Sequence, residues 1–358
     1  MIKRLALVLA GCGASPGSPI DAAIDAHAID APPGDALVSL DPTSGVYKQT
    51  CDGSAGVALD FTHFLNFDDE DQRVGLYTRA AAGDPVQSID VSTGIGMTTG
   101  DEADLEDAAR LGDRVYVLGS HGRDDNGTLQ PTRSRFFAID VAGTPPAVTL
   151  TVAGFTANLL VDLLDAANWQ TPDAAVIAAL VASSKLGDTT DASLAPKDQG
   201  TNIEGLGVLP GGRLAIGFRN PQPANQALIV TLLNPDAVIG GATAQFGEAI
   251  ELPLGGLAIR SLAWSDVHGK MLVLAGPHDT GGPFQLFTWA GTASDAPVLV
   301  DGNLLVPTGS SAEAVLPYPG TGDVQILFDM GESTIGASSC KKAAVAAQQF
   351  DDVIIHVD

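Results

Sequence analysis

Asn202-Ile203-Glu204-Gly205-Leu206, followed a few residues later by Arg213-Leu214-Ala215-Ile216-Gly217, sets the pattern from which the fold is read. Two short apolar runs separated by turn-forming residues are the signature of antiparallel strands. A charged residue stands one place after an apolar one at the head of the first run. The same grammar recurs along the chain. Asp104-Leu105-Glu106-Asp107 precedes Arg114-Val115-Tyr116-Val117-Leu118, Ala258-Ile259-Arg260-Ser261-Leu262 precedes Lys270-Met271-Leu272-Val273-Leu274, and Ser311-Ala312-Glu313-Ala314-Val315 precedes Val324-Gln325-Ile326-Leu327-Phe328. An earlier copy begins at Asp52-Gly53-Ser54-Ala55-Gly56-Val57. Glu204 and Arg260 are 56 residues apart, Arg260 and Glu313 53, and Ser54 and Glu106 52. A period near fifty with several strands per repeat marks the blades of a propeller. The fold class expected is therefore all-β, a β-propeller of about six blades, with five or seven also compatible. First strands of successive blades line the channel, so Glu106, Glu204, Arg260 and Glu313 are expected to converge on one axis.

The interval from Glu106 to Glu204 is nearly double the others and has a different texture. Ala157–Leu164 and Asp173–Ala182 are rich in Ala and Leu, and Thr171-Pro172-Asp173 is a helix start. A helical insertion near 155–200 is expected, either as a cap packed on the ring or as a lid over a substrate.

Composition limits the partners. The 358 residues carry 43 acidic and 18 basic side chains, a net charge of -25. Nucleic acid and anionic membrane surfaces need a basic face, so both are excluded as partners. No apolar stretch approaches the roughly 18 to 20 residues of a membrane-spanning helix. Gly (41) and Pro (22) are abundant while charged residues make up only 17%, as expected for short apolar elements joined by many turns. A single chain binding a small molecule or a protein fits this composition.

The first residues, Met1-Ile2-Lys3-Arg4-Leu5-Ala6-Leu7-Val8-Leu9-Ala10-Gly11-Cys12, join two cations, a short apolar run and Leu-Ala-Gly-Cys. This resembles the lipobox of bacterial lipoproteins, which implies that 1–12 are signal and lipobox and that Cys12 is lipidated. The apolar run is shorter than usual, so either the start lies upstream or the signal is minimal; a short strand ending in a buried cysteine is the alternative. Gly13 after the cysteine favours the outer membrane within that resemblance, and an acyl anchor is the only membrane association expected. Residues 13–47, with Ile-Asp-Ala repeated among Ala, Pro and Gly, read as a disordered acidic tether. The propeller domain is assigned to 48–358. If Cys12 carries lipid, Cys51 and Cys340 remain near the two ends of the folded part. In an oxidising compartment they are expected to form a disulfide that closes the ring, with two free thiols as the alternative.

Several strings together resemble a family of bacterial secreted proteins, domain of unknown function 3616, which implies a propeller-like fold. They are Cys51-Asp52-Gly53-Ser54-Ala55, Phe67-Asp68-Asp69-Glu70-Asp71, Asp104-Leu105-Glu106 with Gly119-Ser120-His121, Asn202–Leu206 with Gly217-Phe218-Arg219-Asn220-Pro221, Ile259-Arg260 with Ala275-Gly276-Pro277, and Ala312-Glu313 with Asp329-Met330-Gly331-Glu332. Asp107 and Ala314 depart from the family pattern; Asp107 stands where Gly is more usual.

The candidate ligand site is Glu106, Glu204, Glu313 and Arg260 at the channel, with Arg219, His121 and Asp104 near its rim. Crowded carboxylates need a cation or an arginine to share their charge. One solution is a metal centre at Glu106, Glu204 and Glu313 holding Ca or Mg through oxygen ligands; another is Arg219 and Arg260 paired with the glutamates. No Gly-x-Ser-x-Gly elbow falls within 48–358, and a His-x-x-x-His zinc pattern is missing from the sequence. The leading expectation is an extracytoplasmic propeller binding module, lipid-anchored or secreted. The alternative is a metal-dependent phosphoesterase or esterase using the channel carboxylates. Asp68–Asp71 reads as a solvated acidic turn, with one carboxylate retained as a rim candidate.

Overall fold

The computed structural model describes residues 45–358 apart from 80, 82, 99 and 280. The expected signal, Cys12 and the expected tether as far as residue 44 lie outside the described residues, while 46 and 47, expected to end that tether, belong to a strand of the last blade. The four-stranded sheets are five in number. The first is β2 (Ala55–Ala58), β3 (His63–Phe67), β4 (Arg73–Thr78) and β5 (Gln87–Asp90). The second is β6 (Leu105–Leu111), β7 (Arg114–Gly119), β8 (Phe136–Thr144) and β9 (Ala147–Thr156); the third is β10 (Asn202–Leu209), β11 (Arg213–Asn220), β12 (Ala227–Leu232) and β13 (Phe246–Leu252). The fourth is β14 (Ala258–Ser265), β15 (Lys270–Gly276), β16 (Gln285–Trp289) and β17 (Val298–Asp301). In the last, β18 (Ser311–Pro317) and β19 (Asp323–Asp329) are followed by β22 (Gln349–His356), after the small hairpin β20 (Thr334–Ile335) and β21 (Ser338–Ser339); the N-terminal β1 (Val46–Lys48) adds the outer edge. Inner strands β2, β6, β10, β14 and β18 neighbour one another in sequence order and close the ring.

The blades number five, one of the counts left open and one fewer than the six favoured. The difference has two sources: the insertion between β9 and β10, and the long excursion between β19 and β22 that carries β20, β21 and Cys340. Both lengthen the chain without adding a blade. Ring closure is as expected, by β1 pairing antiparallel with β22 and by a Cys51–Cys340 disulfide.

The continuous apolar runs of the second strands follow from burial on both faces. On β7, Tyr116 and Leu118 pack toward the third blade with Phe136, Ile216 and Phe218, whereas Val115 and Val117 pack toward the first with Phe67 and Leu76. On β15, Met271 and Val273 face the third blade while Leu272 and Leu274 face the fifth. The core is thus a set of layers between blades. Helices α1 (Leu159–Leu163) and α2 (Ala174–Ser184) pack Leu159, Leu160, Leu163, Val176 and Leu180 into the layer between the second and third blades; α3 (Pro235–Ile239) adds Val238 there. Asp173 caps α2 by accepting from Ala175 N (2.9 Å) and Val176 N (3.0 Å). Its C-terminus is held by buried Arg123, which donates to the carbonyls of Ser184, Lys185 and Asp188. No helix of the described residues is long and apolar enough to cross a membrane.

Candidate functional site

The charged residues that head the inner strands share one backbone feature. Pairing of β6 with β7 steps from Leu105 to Asp107, of β10 with β11 from Ile203 to Gly205, of β14 with β15 from Ile259 to Ser261, and of β18 with β19 from Ala312 to Ala314. Glu106, Glu204, Arg260 and Glu313 are therefore each the extra residue of a β-bulge. A bulge re-aims a side chain that regular alternation would send into the packed face of the blade. Gly205 and Gly217 allow the close approach of blades that this needs: a Cβ on either would lie 2.5 or 2.6 Å from Ile259 Cγ2.

Re-aimed in this way, the side chains meet. Arg260 Nη1 lies 2.9 Å from Glu204 Oε2, and Arg260 Nη2 binds Glu313 Oε1. Arg219 Nη1 is 2.8 Å from Glu204 Oε1, and its other nitrogens donate to the carbonyls of His278 and Asp279. Asn202 Nδ2 and Ser311 Oγ add donors to Glu204 and Glu313. Burial disfavours the Arg260 charge, but Glu204 and Glu313 more than offset it, so its pKa is raised and the guanidinium stays ionised.

Glu106 faces the same group without an ion-pair or hydrogen-bond partner among the described residues. Burial, and then the charges of Glu204, Asp104 and Glu313, hold its carboxyl well above the ordinary carboxylate range, with Arg260 pulling the other way. Asp104 is engaged by Arg133 at 3.0 Å, which also binds Glu102. His121, expected at the rim, is buried in the second blade. Its Nδ1 donates to Gly119 O at 2.8 Å, its Nε2 is buried without a partner, and burial lowers its pKa to about 4.

Over the ion pairs opens a cavity of about 530 Å³, walled by Arg219, Arg260, Glu313, Asp329, Asp279 and Lys197, together with Phe284, Pro277, Pro283 and Val306. Neither Glu106 nor His121 lines it. Cations and carboxylates share the wall with apolar side chains, so the cavity can accept and donate hydrogen bonds at once. A separate, more apolar cavity of about 380 Å³ lies at the opposite end of the inner strands, beside Ala109, Leu262, Trp264 and Tyr318.

Below the bulges lies a residue that sequence reasoning passed over. Asp107, read as a departure from the family pattern, is buried and accepts from Leu206 N (2.7 Å) on the third blade, Leu262 N (3.0 Å) on the fourth and its neighbour Ala108 N (2.9 Å). Ser261 Oγ is 3.2 Å from Asp107 and accepts from Val315 N on the fifth blade at 3.2 Å. One carboxylate thus ties four blades together across the axis. Burial raises its pKa strongly, and the three N–H donors work against that rise.

Comparison with known proteins adds a partial family match. Residues 162–308 match the family described as Protein of unknown function (DUF3616). The matched segment takes in most of the insertion and the whole of blades three and four, and so includes Glu204, Arg219 and Arg260; Glu106 and Glu313 lie outside it. No curated protein matches the chain. Among solved structures, the chain resembles a glutaminyl cyclase of Myxococcus xanthus at 11% identity over 88% of this chain and 95% of that one, TM-score 0.42. It resembles an exo-beta-1,3-galactanase of Phanerochaete chrysosporium at 9% identity over 86% and 60%, TM-score 0.45. An aldose sugar dehydrogenase of Streptomyces coelicolor shows 10% identity over 89% and 100%, TM-score 0.36. These overlaps are loose, and the five-bladed fold stands on the strand pairing itself.

Proposed function

We propose that this propeller is a lipid-anchored, extracytoplasmic binding module that takes a small polar molecule in the cavity above Glu204, Arg260 and Glu313. The observation that carries the reading is that Glu204 and Glu313 are already neutralised. Arg260 stands between Glu204 and Glu313, and Arg219 completes Glu204, so a hard cation bound to these glutamates would have to displace a buried guanidinium. What faces the cavity is a fixed set of charge-assisted donors and acceptors beside Phe284. A hydrolytic site would instead gather free carboxylates and His121 in one open space, and His121 is elsewhere. The disulfide supports an oxidising compartment, and Cys12 supplies the acceptor for lipid.

The test is a thermal-shift panel of monosaccharides, amino acids and dicarboxylates on the full chain. At least one class should raise the melting temperature in a saturable way. Phe284→Ala or Lys197→Ala should weaken that binding at least tenfold, while Trp264→Phe at the opposite cavity leaves it unchanged. No shift across the panel, or shifts indifferent to Phe284 and Lys197, would remove the small-molecule reading.

A further inference from the structure

The acidic turn that follows β3 is solvated only in its second half, at Glu70 and Asp71. Asp68 and Asp52 are each only 3% exposed. Asp52, Asp68 and Asp69 each offer a carboxylate oxygen, and these oxygens all lie within 4.8 Å of one another. Oxygens around a calcium ion at about 2.3 to 2.6 Å can stand up to about 5 Å apart, whereas magnesium at about 2.1 Å demands a tighter shell. The cluster is far from neutral. Lys341 Nζ reaches Glu70 at 2.7 Å but remains 3.9 Å from both Asp52 and Asp69, and Arg73 serves Asp68 and Asp71.

A second observation is independent of the carboxylate count. Asn66, which is 1% exposed, donates Nδ2 to Asp52 O at 2.9 Å and leaves its buried Oδ1 with no donor. It shares with Asp68 and Thr50 a void of about 10 Å³, room for about one water-sized sphere. Ser54 Oγ, Asp52 Oδ1 and Asp69 Oδ1 are likewise buried and lack hydrogen-bond partners. Buried oxygens without donors are rare and call for a bound species. One donor, Arg73 Nε, is also buried without a partner, but the unpaired oxygens outnumber it, and a hard cation is the species that satisfies several carboxylate and amide oxygens at once.

We propose that Asp52, Asp68 and Asp69 form a calcium site at the seam between the first and last blades, with Lys341 as its outer counter-charge. Its position gives it a role. Asp52 follows Cys51 and Lys341 follows Cys340, so the ion reinforces the covalent closure of the ring. Asp329, which lines the ligand cavity, is in turn coupled electrostatically to Asp52 and Lys341. This site is separate from Glu106, Glu204 and Glu313 and does not depend on the cavity's having a ligand.

The experiment is calcium content and thermal unfolding of the full chain, with and without a chelator. One tightly held calcium per chain is expected, together with a saturable rise in melting temperature that magnesium reproduces poorly. Asp69→Asn should lose the ion and the calcium-dependent shift, while Glu251→Gln, an exposed acid elsewhere, keeps both. Lys341→Met should be less stable than wild type without calcium and be restored by it. The site is refuted if wild type holds no stoichiometric calcium and neither wild type nor Lys341→Met responds to calcium. It is equally refuted if a folded Asp69→Asn retains the full shift.

Discussion

Replacing Asp107 by alanine tests how the blades are joined. The substitution removes the acceptor of three buried N–H groups, those of Leu206, Leu262 and Ala108, and loosens the Ser261 hydroxyl that binds Val315 N. Each orphaned buried donor costs about 1 to 3 kcal/mol, or about 3 to 9 kcal/mol for three. Relief of the burial penalty on the carboxylate recovers part of this, leaving an expected net loss of about 3 to 4 kcal/mol. Asp107→Asn retains one acceptor oxygen and should lose about half as much. Glu106→Ala, one residue away but without a partner, should lose less than about 1 kcal/mol. Urea denaturation at neutral pH, followed by both tryptophan fluorescence and far-ultraviolet circular dichroism, measures all three. An Asp107→Ala protein within about 0.5 kcal/mol of wild type would refute the idea that this carboxylate holds the axis together.

Three further outcomes are expected. Arg260→Met strands Glu313 and leaves Glu204 to Arg219 alone, and should cost about 3 to 5 kcal/mol in denaturation, with Glu313→Gln added to it restoring part of the loss. Cys51→Ala removes a bridge spanning 289 residues and should destabilise by about 5 kcal/mol on loop entropy, a loss that reduction of the wild type reproduces. His121 has its pKa lowered by burial to about 4, so the unfolded chain takes up its proton first as pH falls. Stability from this residue is whole above about pH 6.5 and declines by about 3 kcal/mol as pH falls to about 4. His121→Asn, which tolerates the positive φ of 54° at this position, should abolish that part of the acid sensitivity. An unchanged pH profile in this variant would contradict the assignment.

Much of the inner ring is legible in sequence because the bulge leaves a local mark. An apolar residue followed by a charge, then a strand, singles out Glu106, Glu204, Arg260 and Glu313, and Ala/Leu-rich segments behind Asp173 locate the insertion. Blade number is less legible, since the excursion that carries β20 and β21 looks like more strand-bearing chain. Asp107 escapes notice because its partners, Leu206 and Leu262, lie 99 and 155 positions away and donate only backbone groups. The acidic turn reads as wholly solvated for a similar reason: Lys341, which returns from the far end of the chain to Asp52 and Asp69, leaves no mark in Asp68–Asp71. His121 is misplaced at the rim because nothing in Gly119-Ser120-His121 reveals that its ring turns back to Gly119 O.

Soaking crystals of the protein with the strongest binder from the thermal-shift panel tests the binding-module reading most directly. Density should lie against Lys197, Arg219 and Phe284, with the Glu204–Arg260–Glu313 pairs intact beneath it. Ligand seated instead beside Trp264 and Tyr318, or a metal ion in place of the Arg260 guanidinium between the glutamates, would contradict it.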